Sequence, residues 1–138
     1  MFHFIQILAA LPIKIFFPTK IVGKKNIPKG ACIISSNHTS NMDAVVFAVN
    51  TWEKKYYLAK KELFKNKAFG GFLKSLGAIK IDRQANDITA IKQCLKVLKD
   101  NKKLFIFPEG TRVKNENMEL GEVKHGVAMF AVKEKVPI

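Results

Sequence analysis

Three short stretches bring together side chains suited to acid–base or anion chemistry. The first is Asn37-His38-Thr39-Ser40-Asn41-Met42-Asp43. A His and an Asp five residues apart do not share a helix face, because five residues turn about 500°. They meet if His38 lies in the turn before a helix and Asp43 lies in that helix. Thr39, Ser40 and Asn41 are cap-forming residues suited to such a turn. A carboxylate bonded to one imidazole nitrogen fixes the tautomer and leaves the other nitrogen as a base. Taken alone, the pair reads more often as a satisfied polar turn.

The second stretch is Phe107-Pro108-Glu109-Gly110-Thr111-Arg112. It delivers a carboxylate, a glycine, a hydroxyl and a guanidinium into one loop. Gly110 lets backbone approach a ligand closely, and Arg112 can grip a phosphate with two parallel hydrogen bonds. A surface turn with a Glu–Arg ion pair fits the same residues equally well. The third is Gly77-Ala78-Ile79-Lys80-Ile81-Asp82-Arg83. It places an Arg just past a strand, where a simple Asp82–Arg83 pair is the blander reading.

The elements that must position these groups follow from the hydrophobic pattern. Ala31–Ser36, Tyr56–Ala59, Ala78–Ile81 and Leu104–Phe107 read as short buried strands, and Lys20–Gly23 as a fifth, weaker one. Helices are expected over Asp43–Asn50, over Lys61–Leu76 with a break at Gly70-Gly71, and over Val123–Val132. The clearest helix follows a cap at Asn86 or Asp87, with Ile88, Ile91, Leu95 and Leu98 as its apolar stripe. Strands alternating with helices predict a single α/β domain with a mixed, largely parallel sheet flanked by helices. Such sheets gather ligand groups beyond the carboxyl ends of their strands. His38, Asp82-Arg83 and Glu109–Arg112 all fall there.

The 138 residues allow one domain, and 48% hydrophobic residues supply its core. Disorder, collagen-like repeats and disulfide scaffolds are excluded. Cys32 and Cys94 stand far apart and read as buried reduced thiols, with no metal-ligand spacing. The net charge of +13 calls for an anionic partner. Almost all of the basic residues are Lys, which make a diffuse field. Only Arg83 and Arg112 offer the planar fork that matches phosphate.

Residues 1–18 are apolar, but Pro12 and Lys14 interrupt them and they are short for a span of about 20 residues. They read as a membrane-interfacial segment with Phe2, Phe4, Ile5, Leu8 and Ile15-Phe16-Phe17 at the headgroup boundary, ahead of a domain over 19–138. A core helix is the alternative. The aromatics are mostly Phe within apolar runs, unlike a base-stacking platform, so no nucleic-acid partner is expected. The chain ends on Val136-Pro137-Ile138, which reads as the start of a strand and leads us to expect a domain cut short at its C-terminus.

In chain order the blocks are N-H-x-S-x-x-D, G-x-x-x-I-D-R, F-P-E-G-T-R and V-P-I. From about Lys20 onward the chain resembles the glycerolipid acyltransferase family, in particular its 1-acyl-glycerol-3-phosphate acyltransferase branch. Lys80 stands where the family often has a hydrophobic residue. The resemblance implies acyl transfer from acyl-CoA or acyl carrier protein to lysophosphatidate, giving phosphatidate for phospholipid synthesis. It makes His38 the general base and Asp43 its orienting partner. Arg83 and Arg112 would bind the acceptor phosphate, Glu109 would face the glycerol, and Gly110 and Thr111 would complete the acceptor loop. Lys124, in a Lys-x-Gly pair with Gly126, is a further phosphate contact. No metal or cofactor is implied. The expected setting is an anionic membrane surface on the cytoplasmic face. The alternatives are glycerol 3-phosphate or another lysophospholipid as acceptor, or an inactive basic membrane-binding module.

Overall fold

Short apolar strands separated by helical returns can pair in parallel, and here they do. The computed structural model describes residues 2–40, 42–51, 53–113 and 121–138, the side chains of residues 2, 3 and 5–9 apart. Strands β1 (Cys32–Ser35), β2 (Lys55–Lys60), β3 (Ala78–Ile81) and β4 (Lys103–Ile106) form one sheet in the order β1-β4-β2-β3. All three pairings are parallel, with Cys32 and Lys55 each opposite Lys103 and Tyr57 opposite Ala78. The sheet expected to be mixed is thus wholly parallel among the described residues. The helices are α1 (Phe2–Phe16), α2 (Asp43–Asn50), α3 (Lys67–Ser75), α4 (Ile88–Lys99) and α5 (Gly126–Glu134).

One face of the sheet presents Ile33, Ile79, Leu104 and Ile106 to Ala90, Cys94, Val97 and Leu98 of α4 and to Val127 and Phe130 of α5. Strand side chains alternate, so Phe105 points the other way and stacks on Phe47 of α2. Lys55 and Lys103 lie side by side on that second face and are buried. Lys103 pairs with Glu53, and the Lys55 ammonium donates to the Glu53 carbonyl at 3.0 Å. Burial pulls the Lys55 ammonium below its ordinary range. Two of the lysines read as surface charge are therefore structural.

Several local expectations are corrected. Residues 20–23 form no strand, and Gly23 turns with φ 74° instead. The break before α3 falls at Lys65-Asn66, where the Asn66 side chain caps the helix by accepting from the Phe69 N–H at 3.1 Å. Gly70 lies inside α3, because a Cβ there would stand 3.2 Å from the Phe64 backbone. Asp87 caps α4. Ile88, placed on the buried stripe, is 62% exposed, since it opens the helix ahead of the turns that pack on the sheet. Helix α5 starts at Gly126 rather than Val123. Residues 136–138 form no strand, although the Pro137 carbonyl accepts from the Ile33 N–H at 2.9 Å along the edge of β1.

Both cysteines are free and buried, and burial pushes the Cys94 thiol up to about 12. Helix α1 packs against α2 and leaves Phe4, Leu11, Ile15 and Phe16 largely exposed, Phe16 at 77%. The side chains of Phe2, Ile5 and Leu8 lie outside the described residues. No helix among the described residues is long and apolar enough to cross a membrane.

Candidate active site

A parallel sheet puts the carboxyl ends of all its strands at one edge, so the loops after β1, β3 and β4 open on the same side. Because β1 and β4 are neighbours, the loop carrying His38 lies against the loop carrying Glu109. The two are sewn together by backbone: the Val113 N–H donates to the His38 carbonyl at 2.8 Å.

His38, in the turn before α2, and Asp43, at its start, do meet. The imidazole Nδ1 lies 3.1 Å from the Asp43 Oδ2, and the side chains are 13% and 28% exposed. That same oxygen accepts from the Thr39 and Ser40 N–H groups, each at 2.8 Å. Burial pushes the Asp43 carboxyl up, but the two amide bonds and the imidazole outweigh it and hold the carboxyl below its ordinary value. An ionised Asp43 on Nδ1 leaves Nε2 as the basic nitrogen. The Thr39 and Ser40 amides are committed to this carboxylate. They are therefore not free to stabilise an oxyanion.

Glu109 is placed differently from expectation. It is 4% exposed, and its Oε2 accepts from the His38 backbone N–H at 3.2 Å. Its Oε1 accepts from the Gly121 N–H at 3.4 Å. This carboxylate faces inward and clamps the His38 turn, rather than standing open toward a glycerol. It does not pair with Arg112 among the described ion pairs.

Arg83, Gly110 and Lys124 are brought together around a cavity of about 240 Å³. Phe107, Pro108 and Ile81 complete part of its wall. Asp82 pairs with Lys61 at 2.6 Å, so the expected Asp82–Arg83 pair does not form and the Arg83 guanidinium is left at the cavity. Partial burial lowers the Arg83 guanidinium from its ordinary range, against an opposing pull from Glu62. Asp87 sets this loop: one carboxylate oxygen caps α4 through the Ala90 N–H, and the other accepts from the Asp82 N–H, each at 2.9 Å. Gly110 has φ 66°, and a Cβ on it would stand 3.2 Å from the Lys124 Nζ. Glycine is thus favoured by the left-handed backbone, and a Cβ would also press on the end of the Lys124 side chain. Thr111 and Arg112 are exposed and lie outside this lining.

A second cleft, of about 950 Å³, lies on the other side of the His38 turn. Phe16, Phe17, Ile21 and Val46 line it beside Thr39, Ser40 and Asp43. Phe107 was assigned no role from the sequence, yet its ring lies flat on the imidazole. The available signal was an aromatic residue at the end of a strand, two positions before Glu109.

A family model described as Acyltransferase matches residues 18–138. The 1-acyl-sn-glycerol-3-phosphate acyltransferase of Bacillus subtilis is 35% identical over 121 residues, spanning 86% of this chain and 59% of that protein. The enzyme of the same name from Streptococcus pneumoniae is 38% identical over 108 residues, spanning 77% of this chain and 39% of that one. Among solved structures, the 1-acyl-sn-glycerophosphate (LPA) acyltransferase PlsC from Thermotoga maritima superposes with a TM-score of 0.73 at 26% identity, covering 94% of this chain and 52% of that one. The chain therefore spans roughly half the length of the proteins it matches.

Proposed function

The chain belongs to the acyltransferase family, and on that footing we propose that it moves a fatty acyl group from an acyl thioester to the free hydroxyl of lysophosphatidate. The observation that supports this most is the His38–Asp43 pair at the carboxyl edge of the sheet, next to a cavity ringed by Arg83 and Lys124. The acceptor phosphate sits between those cations, and Gly110 keeps the backbone out of its way. His38 Nε2 takes the proton of the acceptor hydroxyl as its oxygen attacks the thioester carbonyl. The tetrahedral adduct then expels the thiolate, which recovers that proton from the imidazolium. The products are phosphatidate and a free thiol. A thioester is already activated, so no metal or cofactor enters, and neither buried cysteine takes part.

Arg112 and Thr111 are exposed on the loop after β4, and on this reading they meet the headgroup from outside. The donor is acyl-CoA or acyl carrier protein. The chain works on the cytoplasmic face of an anionic membrane, where a net charge of +13 concentrates both substrates. The exposed apolar side chains of α1 would enter the headgroup boundary.

The test is acyl transfer by the purified protein, with acyl-CoA and with acylated carrier protein as donors. Lysophosphatidate, glycerol 3-phosphate and lysophosphatidylcholine serve as acceptors on anionic vesicles. Fastest acylation of lysophosphatidate, with phosphatidate as product, is expected. Faster acylation of either other acceptor, or vesicle binding with no transfer at all, would overturn it.

A further inference from the structure

Helix α2 reaches the His38 imidazole by two routes. The first is Asp43, bonded at Nδ1. The second begins one turn further along the same helix, at Phe47. Its ring stacks on Phe105 at 4.4 Å between centroids, with planes 5° apart. Phe105 meets Phe107 edge-on at 4.8 Å. Phe107 lies flat on the imidazole, with centroids 3.9 Å apart and planes 17° apart. These contacts form a closed circuit from α2 to the imidazole and back.

A single hydrogen bond at Nδ1 holds one edge of the imidazole but permits rotation about the bond. A flat ring against the face removes that freedom. We propose that Phe107 is a positioning residue for His38, setting the plane of the imidazole so that Nε2 stays directed at the acceptor hydroxyl. The proposal rests on the acyltransferase reading above. Phe107 also lines the cavity with Arg83 and Lys124. Such stacking is geometrically specific, which an aliphatic side chain of similar volume is not. Misplacing a reacting group by about 1 Å can cost on the order of a hundredfold in rate.

The test compares Phe107→Leu, Phe107→Met and Phe107→Tyr with the wild type. Leu and Met keep apolar burial and remove the flat ring, whereas Tyr keeps it. For Leu and Met, kcat is expected to fall about tenfold, by more than the acceptor KM rises, while Tyr keeps most of the wild-type kcat. Loss of the ring current should also move the His38 ring protons downfield in the Leu and Met variants, assigned against His38→Ala. Wild-type kcat in the Leu variant, or His38 resonances that do not move, would overturn the proposal. So would equal loss of rate in the Tyr variant. The resonance measurement needs no substrate. A wild-type protein that transfers no acyl group would therefore sink the acyltransferase reading, while the spectra would still decide whether Phe107 stacks on the imidazole.

Discussion

The buried Glu109 carboxylate accepts a hydrogen bond from the His38 backbone N–H at 3.2 Å, across 71 residues of sequence. Together with the Val113-to-His38 backbone bond, it makes the loop after β4 a brace for the turn after β1. His38 is therefore contacted from three directions: Asp43 at the ring edge, Phe107 at the ring face and Glu109 at the backbone.

Removing that brace should cost both stability and rate. Glu109→Ala leaves the His38 N–H without its partner and is expected to destabilise the fold by about 1–3 kcal/mol. Its kcat should fall as the turn loosens. Glu109→Gln keeps one amide oxygen as acceptor and should fall between Ala and wild type. Urea unfolding and steady-state kinetics on the same preparations check this.

Asp43 carries a pH signature. Its carboxyl is held below its ordinary value in the folded chain. A depressed folded pKa contributes stability that is fully present above the unfolded value, about 3.9, and is lost as pH falls through the folded value. The stability difference between wild type and Asp43→Asn should therefore narrow as pH falls below about 4. Denaturation curves across that range measure it. A difference that grows as pH falls below about 4 would contradict an Asp43 that is ionised in the folded chain.

Gly110 should not tolerate a side chain. Gly110→Ala combines a left-handed backbone, which costs a residue with a Cβ roughly 1–2 kcal/mol, with a contact against Lys124. Displacing the lysine should raise the acceptor KM more than it lowers kcat. Lys124→Ala should raise the same KM without the loss of stability. Thermal unfolding paired with acceptor titrations separates the two.

The sheet rests on β4, paired on both sides. Leu104, fully buried at its centre, packs into the cluster formed with α4 and α5. Leu104→Ala is expected to destabilise the domain by about 2–5 kcal/mol. Equilibrium unfolding checks this.

His38 and Asp43 were legible in the sequence because their relationship is local: a polar turn feeding a helix brings them together within six residues. The same holds for the cap at Asp87 and for the strands with continuous apolar runs. The brace was not legible, because it depends on strand order. Nothing in the local pattern says that β4 inserts between β1 and β2, and that insertion is what turns Glu109 inward to His38. Arg83 and Gly110, expected together at the carboxyl edge of the sheet, do line one cavity with Lys124. Burial misled in two ways. Periodicity put Ile88 on the core stripe without saying where the sheet ends beneath α4. Lys55 and Lys103 looked like surface charge until pairing placed them side by side over Phe47 and Glu53. At Gly70 composition suggested a break, whereas close packing on Phe64 was the reason for the glycine.

In the proposed reaction His38, held by Asp43, is the base for acyl transfer to a phosphorylated acceptor at this edge of the sheet. Its most direct test is single-turnover acyl transfer from acyl-CoA to lysophosphatidate, comparing wild type with His38→Ala at matched folding and vesicle binding. The rate is predicted to fall at least about a hundredfold in the variant, with vesicle binding retained. A variant that is folded and bound and still transfers at the wild-type rate would contradict the account.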